Sequence, residues 1–121
     1  MDILFLLSLF AIKHWLFDFV WQTAEEIKHK GTYLDYRGMV HSIKHGIATF
    51  VIVKIAGLHF AEAGMIGGLD FLVHYHIDWA KMNINRIKGW GPTTHEQFWW
   101  LTGFDQFLHQ ITYLLLIWLV V

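Results

Sequence analysis

Long apolar runs dominate the pattern of hydrophobic and polar positions along the chain. Four can be drawn, at residues 3–22, 38–60, 64–81 and 97–121, and each approaches the roughly 20 residues that an α-helix needs to cross a bilayer core. No small-residue cleavage site follows the first run, so we expect it to remain as a spanning helix. The pattern predicts an all-α protein, with residues 1–121 forming one integral membrane four-helix up-and-down bundle.

Composition supports a membrane protein and removes several other classes. Of the 121 residues, 55% are hydrophobic and 17% aromatic, and the mean hydropathy is +0.40. The chain has no cysteine, which excludes disulfides, thiolate metal ligands and cysteine nucleophiles. The net charge of −1, with few and scattered Lys and Arg, argues against a nucleic-acid partner.

Basic residues are distributed unevenly between the two ends of the predicted bundle. The two polar connections and the helix ends beside them hold six Lys and Arg residues, whereas the termini and the short apolar connection hold none: Lys28, Lys30, Arg37, Lys81, Arg86 and Lys88. By the positive-inside rule, we expect a multi-pass protein of the cytoplasmic membrane with its charged loops inside and both termini outside.

Each apolar run also carries a pair of His or Asp residues spaced by four, which places both side chains on one helix face. Random placement of the His and Asp residues would give about two such pairs. Five occur, because Asp70 also precedes His74 by four: His14/Asp18, His41/His45, Asp70/His74, His74/Asp78 and Asp105/His109.

Alternating helix directions would bring these pairs to one depth, in a slab about 12 Å thick at 1.5 Å per residue. Ionisable groups at such depth cost at least ~2.5 to 3.5 kcal/mol each and are functional by default. A divalent metal would neutralise the carboxylates and accept neutral imidazole, so we predict two or three Zn²⁺ ions, with Mn²⁺ or Fe²⁺ as alternatives. The candidate ligands are His14, Asp18, His41, His45, Asp70, His74, Asp78, Asp105 and His109.

Other polar residues receive different interpretations. Asp70 or Asp105 would act as the catalytic general base if not a ligand, and Gln22 and Gln106 are candidate donors that orient ligands. Four histidines lie off the stripes, in loops or at helix ends, and are expected to be bystanders: His29, His59, His76 and His95.

Several functions remain open on these residues alone. The polar groups could hydrogen-bond helix to helix, hold a bis-histidine haem, or relay protons or metal ions. The protein could also act only by binding a partner in the membrane. Polar residues are sparse beyond the slab, which favours a closed site over a permeation path.

The strings "HWLFDFVWQT", "HSIKH", "HYHIDWAK" and "DQFLHQ", at these intervals, resemble the domain of unknown function 3307 family of small bacterial and phage inner-membrane proteins. This resemblance implies a bacterial or phage source. The His-x3-Asp pairs are also similar in pattern to those of the zinc-dependent phospholipase C and single-strand nuclease superfamily, which implies a three-metal phosphodiesterase type of site.

Together these features predict a membrane-embedded metal-dependent hydrolase with its site near the cytoplasmic side. The expected partners are membrane lipid and a lipid or other phosphoester substrate, attacked by water activated at the metal. The oligomeric state is open, a homo-oligomer included.

Overall fold

The structure is a computed structural model that describes residues 2–121. Five α-helices make up the fold, and the described residues contain no strand. The all-α prediction is therefore confirmed. The helices are α1 (Ile3–Trp15), which continues into a π-helical turn (Leu16–Val20), α2 (Ala24–His29), α3 (Tyr36–Ile55), α4 (Phe60–Lys88) and α5 (Glu96–Val120).

The boundaries of the helices differ from the predicted runs in two places. The short helix α2 lies in what was predicted to be a loop, where Thr23 and Glu26 form a reciprocal capping box at its start. Helix α4 runs seven residues beyond residue 81, because no Gly or Pro interrupts it before Gly89, which ends it at a φ of 66°.

The four long helices form a ring in which α1 packs on α3 and α5, while α4 packs on α3 and α5. Contacts between side chains fix their relative directions. Asp18 of the π turn meets His45 of α3, and Asp78 of α4 meets His109 of α5. Lys13 of α1 meets Asp70 of α4, and Asp18, further along, meets His74, so α1 and α4 run in the same direction across the ring. This is the up-and-down order, with α2 placed in the first connection.

Two glycines allow α3 and α4 to approach closely at the level of the polar interior. A Cβ on Gly46 would lie 2.8 Å from the carbonyl oxygen of Gly67, and a Cβ on Gly67 would lie 2.7 Å from that of Gly46. Any larger residue at either position would push the backbones apart. The close crossing brings His45 of α3 and His74 of α4 into ring stacking, with centroids 3.7 Å apart.

The interior divides into two halves. The apolar half lies around the N-terminal part of α1 and the C-terminal part of α5, and it consists of Leu6, Phe10, Ile52, Val53, Ala63, Ile66, Tyr113, Leu116 and Ile117. The other half, called the polar half below, contains the nine predicted ligands, all of them buried. Among residues 2–121, fifteen polar or charged residues are buried, against ten hydrophobic ones.

The outer surface is correspondingly apolar, with 34 exposed large hydrophobic side chains in the described part of the chain. Exposed apolar area on this scale marks contact with a membrane or another protein. Within residues 2–121, one of the four predicted runs, Ile3–Val20, has the length and the apolar composition needed to span a bilayer. A signal sequence has the same properties, and the four-span bundle stays a prediction.

Candidate metal centre

The centre of the polar half begins with Asp18, which lies in the π turn at the end of α1. The backbone N–H of Trp21 donates to the carbonyl of Leu16 at 2.7 Å, an i to i+5 bond that defines the wider turn. Such turns are rare and frequent at functional sites, because they re-aim one side chain without ending the helix. Here the turn places the Asp18 carboxylate between histidines of α1, α3 and α4.

A first group of possible metal ligands consists of Asp18, His41, His45 and His74. Three imidazole nitrogens converge on a single oxygen of Asp18. Its Oδ1 lies 2.8 Å from His45 Nε2, 3.1 Å from His41 Nε2 and 3.4 Å from His74 Nε2. All four side chains are buried.

A second group consists of His74, Asp78 and His109. Asp78 Oδ1 lies 3.0 Å from His109 Nε2, and Asp78 Oδ2 lies 3.3 Å from His74 Nε2. His41 connects the two groups, since its Nε2 is 3.1 Å from Asp78 Oδ2 and 3.2 Å from His74 Nε2. The six residues of both groups are called the six-residue cluster below: Asp18, His41, His45, His74, Asp78 and His109.

The spacing of these atoms fits ligands of a small divalent ion. Bonds of about 2.0 to 2.2 Å from Zn²⁺ to nitrogen or oxygen in tetrahedral geometry put neighbouring ligand atoms ~3.3 Å apart. The neighbouring atoms of the six-residue cluster are separated by 2.8 to 3.4 Å. Because one Nε2 binds one ion, His74 can belong to only one of the two groups at a time.

His14 and Asp105 lie at the edges of the cluster. His14 Nε2 is 3.4 Å from Asp18 Oδ2 and 2.5 Å from Gln106 Oε1, while its Nδ1 is 2.8 Å from the Tyr113 hydroxyl. Asp105 Oδ1 is 3.6 Å from His109 Nε2 and has no hydrogen-bond partner within residues 2–121. Gln106 therefore contacts His14 through its accepting oxygen and donates from Nε2 to Asp105 Oδ2 at 3.0 Å, while Gln22 donates to the backbone carbonyl of Asp18.

Asp70, like His14 and Asp105, lies in neither group, and its carboxylate is paired with a lysine instead. Its Oδ2 is bound by Lys13 Nζ and accepts a hydrogen bond of 2.6 Å from Thr49 Oγ1. Lys13 also lies 4.5 Å from the ring centroid of Tyr113. The stripe of α4 predicted Asp70 as a ligand, but a buried ammonium from α1 neutralises its charge, so no metal is needed there.

Helix α2 adds charged groups on the outer side of the cluster. Lys30 Nζ lies 3.5 Å from Asp78 Oδ2 and donates to Gln22 Oε1 at 3.0 Å. Glu26 Oε1 lies 2.9 Å from Lys44 Nζ and 3.7 Å from His41 Nδ1. Burial alone would raise the pKa of Glu26, but hydrogen bonds from Thr23 and Lys44 outweigh it and lower that pKa.

The second ring nitrogens of the cluster are also informative. The Nδ1 atoms of four buried histidines have no hydrogen-bond partner among the described residues: His41, His45, His74 and His109. Since all four direct Nε2 toward the carboxylates, the imidazoles are oriented by the cluster itself. The predicted bystanders lie elsewhere, His59, His76 and His95 exposed and His29 half-buried.

Sequence reasoning did not assign roles to three buried residues near the centre. Tyr113 had a detectable signal, because it follows His109 by four and continues the same helix face. Lys13 lies inside the first apolar run, where a lysine can snorkel to the membrane surface or face the bundle, and its sequence position does not distinguish the two. Lys30 carried no signal, since it was counted as a loop residue and α2 was not predicted.

Comparison with known proteins identifies the family. Residues 5–121 match the model of the family described as protein of unknown function (DUF3307), and the chain belongs to that family. No curated protein matches, and no solved structure matches. The pattern likeness to the zinc-dependent phospholipase C and single-strand nuclease superfamily therefore has no support from these comparisons.

Proposed function

We propose that this member of the DUF3307 family is a membrane-embedded metal-dependent hydrolase acting on a phosphoester such as a phospholipid. The observation that carries the proposal is the convergence of four imidazole Nε2 atoms on two carboxylates in a buried site. Carboxylates buried away from water need a compensating cation. A divalent metal supplies one while leaving the imidazoles neutral.

Two ions are accommodated most simply if His74 joins the second group. Asp18, His41 and His45 would then hold one ion, and His74, Asp78 and His109 the other. Each ion would have two imidazoles and one carboxylate. Three protein ligands leave a coordination position for water or substrate, as catalytic sites of Zn²⁺ require.

A bound pair of divalent ions would supply Lewis acidity and water that is nucleophilic near neutral pH. In hydrolysis, the water oxygen forms a new bond to phosphorus, the ester P–O bond breaks, and the leaving oxygen takes a proton. Asp105 is the better acceptor for the proton of water, because its Oδ1 accepts no hydrogen bond from any described residue and lies close to His109. Asp70, the other predicted base, is held by Lys13 and Thr49.

The apolar exterior supports a substrate that is itself in the membrane. With 34 exposed large hydrophobic side chains among the residues that the structure describes, the outside of the bundle resembles the interior of a soluble protein. A lipid phosphoester would reach the cluster laterally, without leaving the bilayer.

The alternative of ion or proton handling finds less support. A conduction path would have to continue through the opposite end of the bundle, where the apolar half contains fully buried Leu6, Phe10 and Val53. A bis-histidine haem is also disfavoured. The rings of His45 and His74 stack at 3.7 Å and those of His74 and His109 at 4.1 Å, which leaves no space for a porphyrin.

Metal content tests the proposal most directly. Protein purified in detergent and washed with a mild chelator should retain two Zn²⁺ or similar ions per chain by elemental mass spectrometry, with His29→Ala as a matched control that keeps them. The loaded protein should then release phosphate or headgroup from phospholipid vesicles, and chelation should stop the release. A folded preparation without bound metal would refute the proposal of a metal-dependent hydrolase.

The membrane placement has its own test, based on the Lys and Arg asymmetry. Reporter fusions at Gly31 and Gly89 should read as cytoplasmic, and a fusion at the C terminus should read as external. The opposite pattern would move the cluster to the outer leaflet. A soluble, monodisperse protein without detergent would contradict membrane insertion altogether.

A further inference from the structure

A lateral groove of about 560 Å³ lies between α4 and α5, close to the six-residue cluster. Its lining is mainly aliphatic, with Val73, Ala80 and Ile84 on α4 and Leu101 and Leu108 on α5. Two charged residues, Lys81 and Asp105, interrupt the lining on facing helices.

The groove has the length of a single bilayer leaflet. On α4 its lining extends from Leu72 to Ile84, which is about 18 Å at 1.5 Å per residue. Half of the roughly 30 Å hydrocarbon core is about 15 Å. One extended hydrocarbon chain would therefore fill the groove along the helices.

The polar residues of the groove connect it to the candidate metal centre. Asp105 lines the groove and is only 3% exposed. Its Oδ2 lies 3.9 Å from Lys81 Nζ, and its unpartnered Oδ1 lies 3.6 Å from His109 Nε2. An anionic headgroup beside Lys81 would therefore be separated from His109 of the candidate metal centre only by the Asp105 side chain.

Lys81 is also available to an external anion. Within residues 2–121 it makes no hydrogen bond, and its one ion-pair contact, to Asp105, is long. The groove between α1 and α3 offers a comparison, since it is also apolar and contains Lys13 and Lys44. There, however, Lys13 is bound to Asp70 and Lys44 to Glu26, so neither ammonium is free to attract an anion.

We propose that the α4/α5 groove binds an acyl chain of an anionic phospholipid, with the headgroup phosphate beside Lys81. The inference rests on the proposed function and deepens it, because it names the substrate class and the side from which it enters. Aliphatic side chains bind the hydrocarbon and Lys81 attracts the phosphate. Asp105, which lies between Lys81 and His109, shows how short the distance from that phosphate to the cluster would be.

Photo-crosslinking tests this assignment independently of catalysis. The full-length protein is reconstituted in vesicles of phosphatidylcholine that contain a trace of phosphatidylglycerol with a diazirine in one acyl chain. After irradiation, labelled peptides are mapped by mass spectrometry. Labelling should concentrate on the α4 and α5 peptides that line the groove, and a diazirine phosphatidylcholine probe should label them less.

Two alanines provide a matched pair of variants, because each is half-buried and lines one groove. Ala80→Trp fills the α4/α5 groove and should abolish most of its labelling, whereas Ala48→Trp in the α1/α3 groove should leave it unchanged. Lys81→Gln, which removes the charge and keeps a polar side chain, should reduce the preference for phosphatidylglycerol by about fivefold, the effect of one lysine near an anionic lipid surface. If Ala80→Trp does not fold, Lys81→Gln serves as the test.

Equal labelling of the two grooves would overturn the lipid site. The same conclusion would follow if Ala80→Trp left the labelling unchanged and Lys81→Gln left the preference for phosphatidylglycerol unchanged. Metal content is measured on the same samples. Specific labelling of a metal-free protein would support the lipid site while the hydrolase proposal fails, and metal with unspecific labelling would leave the hydrolase proposal without this groove.

Discussion

Leu6 and His41 are both fully shielded from solvent, yet they lie in halves of the bundle that are stabilised in opposite ways. In the apolar half, each side chain gains from burial by itself, through contacts that neighbours supply independently. In the polar half, burial is unfavourable for each group alone and becomes tolerable through its partners. We therefore expect a substitution in the apolar half to remove only the stability that the changed side chain contributes. A substitution in the polar half should weaken several of its partners together.

The largest effect is expected from Asp78→Ala in the polar half. Asp78 contacts three histidines of the cluster and Lys30, so its removal takes a carboxylate contact from four buried groups at once. We expect loss of bound metal together with about 3 to 5 kcal/mol of unfolding free energy. Elemental analysis and denaturant unfolding in detergent measure the two quantities.

The exposed His95 supplies the control for Asp78→Ala, since His95→Ala should change neither metal content nor stability. If Asp78→Ala kept its metal and melted normally, the cluster would consist of independent helix-packing contacts. His14 and Asp18 would then act only as hydrogen-bonding groups between helices.

A comparable loss of stability with no loss of metal is expected from Leu6→Ala in the apolar half. Leu6 is completely buried, and its truncation should cost about 2 to 5 kcal/mol through lost burial and the cavity left behind. Metal content, measured on the folded fraction, should stay at the wild-type level. A coupled loss of metal would show that the two halves do not behave separately.

The contrast between halves also explains what the sequence could reveal. Spacing by four along each helix predicted nine buried residues at one depth, and all nine are buried, because helix periodicity determines which side chains share a face. Periodicity within one helix says nothing about what the facing helix contributes. Asp70 was therefore predicted as a ligand, although its carboxylate is bound by Lys13, which lies 57 positions away.

Two local features were not predicted because each is too short to leave a periodic pattern in the sequence. Helix α2 has six residues, too few for a hydrophobic period to be recognised, although its capping box is present in the sequence as Thr23 and Glu26. The π turn at Asp18 adds one residue to a helical turn that otherwise reads as continuous α-helix. Both features alter which groups reach the cluster, and neither alters the number of long helices.

A smaller effect is expected when Lys13 and Asp70 are replaced together. Lys13→Met alone would strand the Asp70 carboxylate and should cost about 3 to 5 kcal/mol, whereas adding Asp70→Leu should return the unfolding free energy to within about 1 kcal/mol of wild type or above it. Metal content should be unaffected in the double variant. Unfolding measurements on both single variants and the double variant complete the cycle, and metal loss in the double variant would return Asp70 to the ligand set.

The smallest effect is expected at the edge of the polar half, where α2 covers the cluster. The Thr23 hydroxyl accepts from the Glu26 backbone N–H at 3.2 Å, and Thr23→Ala removes this cap. The loss should be about 1 kcal/mol and confined to α2, because no cluster residue depends directly on Thr23. Hydrogen exchange of the α2 amides should quicken while metal content stays constant. Thr32→Ala, at an exposed hydroxyl in the connection that follows, is the control. Because Lys30 ends α2 and lies 3.5 Å from Asp78, faster exchange that spread into α4 would instead indicate that α2 helps to hold the cluster together.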